Sequence, residues 1–205
     1  MFETSLNKRY TYSKTIDFWD SIKKIESLYS EDSLDYTITK RDKIIFMLLY
    51  SYGLRPTEAL NLSIFDFNFN EAENDIDSFG SIYIKSNNAR LVDPIFPEVT
   101  KEIKNYLDIF NIFFKPSASS VFTTTKGNAI TIPYLTSRLK LYNAKLPPSK
   151  RIDSLNTFRQ YYIADLLRIK EFTQSFINNQ IGNNILSNQV YLHLQPDKTQ
   201  IGVIQ

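Results

Sequence analysis

The sequence predicts an α+β protein that is mainly α-helical and carries a small antiparallel β-sheet. Two observations support this fold class. Apolar residues recur every three or four positions over most of the 205-residue chain, as they do in amphipathic helices. Residues 81–96 instead combine two short apolar runs with a polar turn between them, which is typical of a β-hairpin. The hydrophobic content of 42% is enough for one sizeable core.

The N-terminal part of the chain predicts three helices. Residues 16–29 carry apolar side chains at three-residue steps, and the polar segment 30–35 reads as a loop. Residues 40–52 form a strongly apolar stretch, which predicts a buried helix ended by Gly53. A proline at the start of 56–62 fits the first turn of a short third helix. We expect residues 1–35 to form an N-terminal helix with its linker and residues 36–205 to form the main domain.

The middle of the chain predicts the sheet and one helix. Residues 81–85 and 89–96 are the expected strands of the hairpin, joined by a turn at 86–88. Apolar spacing returns in 99–114, which predicts a helix. The threonine-rich segment 121–132 contains a Lys-Gly-Asn turn and is expected to form a short strand pair or an extended segment that belongs to the small sheet.

The C-terminal part again predicts helices. Three longer helices are expected at 134–144, 154–168 and 172–180. A loop at 182–187 and a short helix at 188–194 follow, ahead of a polar tail.

Composition excludes several kinds of chemistry. The chain has no cysteine, so it has no thiolate metal site, no disulfide and no cysteine nucleophile. His193 is the only histidine, so a site that needs two histidines cannot be built from this chain alone. We expect neither a metal nor a small-molecule cofactor. No stretch approaches the ~20 apolar residues of a membrane span, so we expect no membrane and a cytoplasmic location.

Several residues suggest chemistry, although each taken alone favours a structural role. Arg55 and Glu58 stand three residues apart at a helix start, where an ion pair is common. Lys85 follows an apolar strand, as lysines that protect sheet edges do. Arg159 flanks the apolar face of a helix, and Tyr191 is a residue type that often packs half-buried.

Order and spacing change this interpretation. The relevant segments read MLLYSYGLRPTEALNLSIFDF (47–67), IYIKSNNARLVDPI (82–95), LNTFRQYYIADLL (155–167) and IGNNILSNQVYLHL (181–194). In this order they resemble the boxes of the tyrosine recombinase, or phage integrase, family over roughly Lys40 to Leu194. The resemblance implies a fold like the catalytic domain of that family, with double-stranded DNA as the partner and self-association on DNA.

The resemblance also implies a role for each matched residue. Arg55 and Arg159 would bind the scissile phosphate, with Glu58 in support. Tyr191 would attack phosphorus to give a phosphotyrosyl link, and Lys85 would protonate the departing 5′ oxygen. Two guanidinium groups can stabilise the extra charge of the pentacoordinate transition state, and no metal is required.

Two positions depart from the family pattern. The family has histidine where this chain has Asn156, and histidine or tryptophan where it has Asn183. Asparagine can donate a hydrogen bond but cannot exchange a proton near neutral pH. General acid–base help contributes ~10²–10⁴-fold, so its loss would slow cleavage without abolishing phosphate binding. About 40 residues precede the match, where the family carries a helical domain that completes a clamp, so the chain is either a fragment or grips one side of the duplex.

Further basic residues are expected to contact DNA. The segment 138–151 contains five of them and no acidic residue, just before the helix of Arg159. The expected DNA-binding residues are Arg90, Arg138, Lys140, Lys145, Lys150 and Arg151.

Three functions therefore remain open at the level of sequence. The first is site-specific cleavage and rejoining of DNA through Tyr191. The second is a regulator, such as a phage repressor, that keeps the fold and the DNA binding but has lost catalysis. The third is a helical interaction module that binds no nucleic acid, which salt-sensitive DNA binding would exclude. The Asn-, Lys- and Ile-rich composition suggests an AT-rich genome, such as that of a low-GC bacterium or its phage.

Overall fold

The computed structural model describes residues 8–11, 13–68, 80–86, 88–95, 98–113, 120–169, 172–182 and 198–201. These ranges confirm a mainly helical fold with a small antiparallel sheet. The elements in chain order are β1 (Lys8–Thr11), α1 (Ser13–Glu26), α2 (Leu34–Ser51), α3 (Pro56–Leu60), β2 (Phe67–Asn68), β3 (Ser81–Ile84), β4 (Arg90–Val92), α4 (Glu98–Phe113), α5 (Ile132–Asn143), α6 (Leu155–Arg168), α7 (Gln174–Ile181) and β5 (Lys198–Ile201). Short 3₁₀ turns lie at Ile64–Asp66 and Pro148–Lys150.

Helix α2 begins six residues before the predicted start at residue 40. Its N-cap is Ser33, whose hydroxyl accepts a hydrogen bond from the Tyr36 backbone N–H at 3.2 Å. The first two turns mix polar and apolar residues, so the apolar run beyond Lys40 marked only the most buried part of the helix. The helix ends at Ser51, and Gly53 follows with φ of +59°, as expected of a helix-terminating glycine.

Helix α1 contributes to the same core as the rest of the chain. Phe18 is fully buried, and its ring centroid lies 5.2 Å from those of Phe46 on α2 and Phe158 on α6. Its ring also meets Tyr142 of α5 edge to face at 6.1 Å. The expected division at residue 35 stays a prediction, and this aromatic cluster packs across it.

The sheet has three antiparallel strands in the order β2-β3-β4. The hairpin is confirmed, with Ile82 opposite Val92 and Tyr83 opposite Leu91. The predicted short strand pair in 121–132 is confirmed as one antiparallel bridge, but the prediction that it belongs to the small sheet is wrong. That segment folds back on itself through a single bridge between Thr123 and Ala129, and its start is held by a hydrogen bond to the carbonyl oxygen of Leu62.

A second, two-stranded sheet pairs β1 with β5, so Lys8 lies opposite Ile201. The sequence predicts only a polar tail at the position of β5. Helix α1 begins and ends three residues earlier than the predicted 16–29, and the helices after α2 match their predicted positions within about two residues. The helix predicted at 188–194 lies outside the described residues. Among the helices in the described ranges, none is long and apolar enough to cross a membrane.

A buried ionic network fastens α2 to α5. Asp42 is fully buried and accepts hydrogen bonds from Arg41 at 2.9 Å and from the Tyr142 hydroxyl at 2.9 Å. Arg138 donates to the second oxygen of the same carboxylate. Arg41 also donates to the Thr123 carbonyl oxygen at 2.9 Å, which holds the 120–131 segment against α2. Each buried charge in this network therefore has a partner, which is the condition for tolerating it in a core.

Candidate active site

The start of α3 positions Arg55. Leu54 is fully buried, and the chain leaves the core at the next residue, Arg55. Pro56 then begins the helix. Glu58 at the third helical position accepts a hydrogen bond from the backbone N–H of Arg55 at 2.8 Å. The same carboxylate receives one from Nη1 of the Arg55 guanidinium at 2.8 Å. The Arg55 side chain is thus anchored while remaining 34% exposed.

Arg159 is brought to the same place by α6. Its Nη1 donates to the Gly53 carbonyl oxygen, and its Nη2 donates to the Ile181 carbonyl oxygen at 2.6 Å. Gly53 is required here for two reasons. Its φ of +59° lies in the left-handed region, and a Cβ added to it would lie 2.1 Å from the Tyr162 ring.

The two arginines line one cleft of about 500 Å³. Asn156, one turn before Arg159 on α6, lines it as well. The other lining residues are Pro56, Thr57, Ile132, Gln160 and Ile163. Three of the residues selected from sequence, from two distant segments of the chain, therefore converge on one cavity.

Arg90 does not lie on the surface that we expected it to occupy. Only 2% of its side chain is exposed, and it makes a two-point ion pair with Glu58. Its Nη1 lies 2.9 Å from Oε1 and its Nη2 lies 3.0 Å from Oε2 of that carboxylate. The expectation of direct DNA contact is therefore corrected for Arg90, because the strand turns this residue inward and a buried acid neutralises it.

The ion pairs decide the charge of Glu58. Burial by itself would raise its pKa, but the hydrogen bonds from Arg90 and from the Arg55 backbone, together with both guanidinium charges, lower the pKa to about 2. Glu58 is therefore a carboxylate at any physiological pH. It serves as an acceptor that orients arginines and has no proton to give.

The cluster carries more positive than negative charge. Burial, and next the positive charges of Arg55 and Arg90, lower the pKa of Arg159 to about 10. Three guanidinium groups thus face a single carboxylate, Glu58. An anion in the cleft would relieve this repulsion, so the site is suited electrostatically to a phosphate group.

Lys85 lies at the end of β3 and is 61% exposed. Its Nζ lies 2.6 Å from Oδ1 of Asp66, a buried residue at the end of the 3₁₀ turn. Burial opposes ionisation of Asp66, but the bonds from Lys85 and from Ser63 hold its pKa below the usual value. Sequence reasoning missed this role of Asp66, although the residue lay in the quoted first motif. A smaller cavity of about 250 Å³, which includes Lys85 and Asp66 in its wall, shares Thr57 with the main cleft.

The basic segment 138–151 divides into paired and exposed residues. Arg138 is committed to Asp42, and Lys150 lies 3.0 Å from Asp17. Lys140 and Lys145 are exposed. Arg151 is exposed too, although its Nε donates to the Leu146 carbonyl oxygen at 2.9 Å.

Three residues selected from sequence, Asn183, Tyr191 and His193, lie outside the described residues. The described chain ends its last helix at Ile181, whose carbonyl oxygen is bound by Arg159. Ile181 itself therefore lies at the edge of the site. Within the described ranges, no group of three or more histidine or acidic residues is arranged to hold a metal ion.

Comparison with known proteins decides the family. Residues 21–197 match the phage integrase family. The chain belongs to this family. The match includes every one of the four boxes, and it extends to α1, beyond the region from Lys40 that the motifs alone had indicated.

Individual recombinases are similar over most of this integrase-family chain. Tyrosine recombinase XerD of Chlamydia muridarum is 28% identical over 182 residues, which cover 85% of this chain and 56% of the relative. Tyrosine recombinase XerC of Mannheimia succiniciproducens is 26% identical over 163 residues, covering 77% and 50%. The chain thus spans about half the length of the curated relatives it matches.

Solved structures show the same fold. A crystal structure of XerH recombinase bound to palindromic difH substrate, a post-cleavage complex, has a TM-score of 0.65 at 22% identity and covers 88% of this chain and 47% of that one. XerA recombinase has a TM-score of 0.61 at 21% identity, covering 86% and 57%. The fold class inferred from sequence is therefore confirmed as that of the integrase family.

Proposed function

We propose that this integrase-family chain binds double-stranded DNA and cleaves and rejoins it through a phosphotyrosine at Tyr191. The observation that carries the proposal is the convergence of Arg55 and Arg159 on one cleft, over an ionised Glu58. A phosphodiester between the two guanidinium groups would be held at two points. The post-cleavage XerH complex with its DNA, which has a similar fold, supports the same partner for this chain.

The proposed cleavage balances without a cofactor. The Tyr191 oxygen bonds to phosphorus and loses its proton to solvent or a nearby base, while the bond from phosphorus to the 5′ oxygen breaks. Lys85 donates a proton to that leaving oxygen. Arg55 and Arg159 stabilise the additional negative charge on the phosphoryl oxygens. Rejoining reverses each step, so the phosphotyrosyl bond conserves the energy of the original linkage.

A second function is favoured by one specific observation. Asn156 lines the cleft where the family pattern has histidine, so the described site lacks a group that exchanges protons near neutral pH at that position. A domain with this cleft would still hold phosphate. We therefore keep as the alternative a DNA-binding regulator, such as a phage repressor, which retains the fold and the DNA binding but has lost the cleavage activity.

Several finer expectations belong to the same proposal. Self-association on DNA follows because recombination joins paired sites, and a cytoplasmic location follows because DNA is the partner. Lys140, Lys145 and Arg151 are the exposed basic residues that we expect to contact the backbone. No metal or small-molecule cofactor enters the proposed reaction.

Covalent adduct formation tests the proposal. The protein and a Tyr191→Phe control would be incubated with suicide duplexes, nicked beside each candidate site in the DNA that flanks the gene, and scored for a covalent protein–DNA band. An adduct that is lost in the control supports cleavage. Salt-sensitive duplex binding with no adduct at any site selects the regulator, and absence of salt-sensitive binding overturns both readings.

A further inference from the structure

Arg90 is a buried cation that the proposed reaction does not use. Its side chain is 2% exposed, so it cannot reach a DNA backbone. A buried guanidinium is costly unless an acid compensates it, and here the compensating acid is Glu58, which also binds Arg55. Glu58 therefore connects a residue in the cleft to one that lies behind it.

The two oxygens of Glu58 are shared between the two arginines. Oε1 accepts from Nη1 of Arg55 at 2.8 Å and from Nη1 of Arg90 at 2.9 Å. Oε2 accepts from the Arg55 backbone N–H at 2.8 Å and from Nη2 of Arg90 at 3.0 Å. Arg90 thus takes the two-point contact, whereas the Arg55 guanidinium makes a one-point contact at the edge of the carboxylate.

We propose that Arg90 is a positioning residue that balances the charge of Glu58 and thereby keeps the Arg55 guanidinium available to a phosphate in the cleft. Without Arg90, the carboxylate would have Arg55 as its nearest counter-ion, and that pair would compete with phosphate for the same guanidinium. The inference rests on the proposed function, in which Arg55 contacts phosphate. It adds a role for a residue that cannot touch the DNA.

The surroundings of Arg90 show that its place is fixed from several sides. Its Nε donates to the Gln180 carbonyl oxygen at 3.1 Å, which ties β4 to the end of α7. Asn88 on the hairpin donates to the Gly182 carbonyl oxygen at 2.9 Å. A Cβ on Gly182 would lie 3.0 Å from Nη1 of Arg90, so the glycine leaves the guanidinium its space. Arg90, which lies on the hairpin that follows Lys85, therefore also links Glu58 to the end of α7.

The salt dependence of DNA binding tests this role without knowledge of the target sequence. A fluorescein-labelled 30-base-pair duplex would be titrated at several salt concentrations, because log K falls with log salt in proportion to the phosphates neutralised, with a slope of about −0.9 for each. We expect Arg90→Met to reduce the magnitude of the slope by about 0.9, as if one phosphate contact were lost. We expect the double variant Glu58→Gln with Arg90→Met to have a steeper slope than Arg90→Met alone, because no carboxylate then competes for Arg55.

Two further variants separate positioning from loss of stability. Arg41→Lys alters another buried arginine on another buried acid, so it should lower the unfolding midpoint and leave the slope unchanged. Arg90→Lys keeps the positive charge beside Glu58 and should retain the wild-type slope. This variant replaces Arg90→Met in the test if Arg90→Met does not fold. A slope whose magnitude falls by about 0.9 in Arg90→Lys would then overturn the inference.

The outcomes distinguish this inference from the proposed function. If wild-type protein shows no salt-dependent binding to the duplex, the proposed function fails and the inference fails with it. If wild-type binding is steeply salt-dependent and folded Arg90→Met keeps the same slope, the inference alone is overturned. A reduced slope in Arg90→Met that is no steeper in the double variant would also overturn the charge-balancing role.

Discussion

The Nζ of Lys85 lies 2.6 Å from Oδ1 of Asp66. The other oxygen of Asp66 accepts hydrogen bonds from the backbone N–H and the hydroxyl of Ser63 at 2.8 and 2.9 Å, so the acid is held rigidly. The lysine is 61% exposed yet tied to a fixed, buried acid. In this position it is bound to Asp66, so the proposed role as proton donor requires Lys85 to leave that acid first.

Replacing Lys85 with methionine should reduce adduct formation by ~10²–10⁴-fold, since the leaving 5′ oxygen loses its proton donor. Duplex affinity should change little by comparison. A substrate with sulfur in place of that 5′ oxygen supplies the control, because a thiolate departs without protonation. If the sulfur substrate fails to restore the rate of Lys85→Met, Lys85 is not the general acid.

Replacing Asn156 with histidine should increase adduct formation if Tyr191 is competent, because an imidazole in the cleft can exchange protons near neutral pH. We expect a gain of about tenfold or more, below the full ~10²–10⁴-fold range because Asn183 is unchanged. Gln160→His is the matched control, since Gln160 lines the same cleft at an unmatched position. Equal gains in both variants would show that any cleft histidine suffices and would remove the assigned role from residue 156.

The ionised state of Glu58 should make folding stability depend on pH. Its pKa is about 2 in the folded protein against 4.5 ordinarily, so its contribution is fully present above pH 4.5 and is lost as the pH falls toward 2. The shift corresponds to about 3 kcal/mol of unfolding free energy. Urea unfolding at pH 7, 5 and 4 should therefore show a difference in unfolding free energy between wild type and Glu58→Gln that narrows only below pH 4.5. In contrast, Asp153→Asn replaces a side chain that is 75% exposed, so it should change the unfolding free energy little at any of these pH values.

The Asp42 network should dominate stability without affecting DNA contacts. Asp42→Asn leaves Arg41 and Arg138 beside a neutral group, and breaking a buried ion pair in this way costs about 3–5 kcal/mol of unfolding free energy. The more exposed pair of Asp17 and Lys150 provides the comparison, since Asp17→Asn should cost less than about 1 kcal/mol. Similar losses in the two variants would mean that burial does not decide the strength of these pairs.

The exposed lysines of the basic segment should act on DNA affinity alone. Lys140→Ala and Lys145→Ala should each reduce the magnitude of the salt slope by about 0.9 and leave the unfolding midpoint unchanged. Lys101→Ala and Lys104→Ala are the controls, because both lysines are exposed on α4, and none of the α4 side chains that the structure describes lines the cleft. If the two α4 variants reduce the magnitude of the salt slope as much as Lys140→Ala and Lys145→Ala do, DNA does not bind preferentially along the basic segment 138–151.

The parts of this fold that sequence predicted are those with a local signal. Apolar spacing located α5 and α6, and the glycine, arginine and proline at 53, 55 and 56 marked the corner that positions Arg55. The pairing of β1 with β5 joins the two ends of the described chain, and no local pattern encodes such a contact. The strand pair in 121–132 forms as its residue types predict, but it bonds to Leu62 and not to the small sheet, a choice that no local pattern encodes.

The sequence predicted which residue types belong to the candidate site better than it predicted whether each side chain points into the core or toward the surface. Arg55, Asn156 and Arg159 line one cleft, and the roles assigned to them there stay predictions. Arg90 was misread as a DNA-contacting residue, and the role of Asp66 was missed. A strand or a turn can direct the same residue inward or outward, and its direction depends on where its partner of opposite charge lies in the fold. A cation with 2% exposure looks identical in sequence to one that contacts DNA.

The hydrogen bond from Arg159 to the carbonyl oxygen of Gly53 has a consequence for recognition. Arg55 follows Gly53 by two residues, so main-chain geometry sets the span between the two guanidinium groups. Immobilising a long side chain on binding costs about 0.5–1.5 kcal/mol. Here that entropy is lost when the chain folds, before any DNA arrives. Preorganisation of this kind would let the cleft hold the proposed phosphodiester with little further loss of freedom.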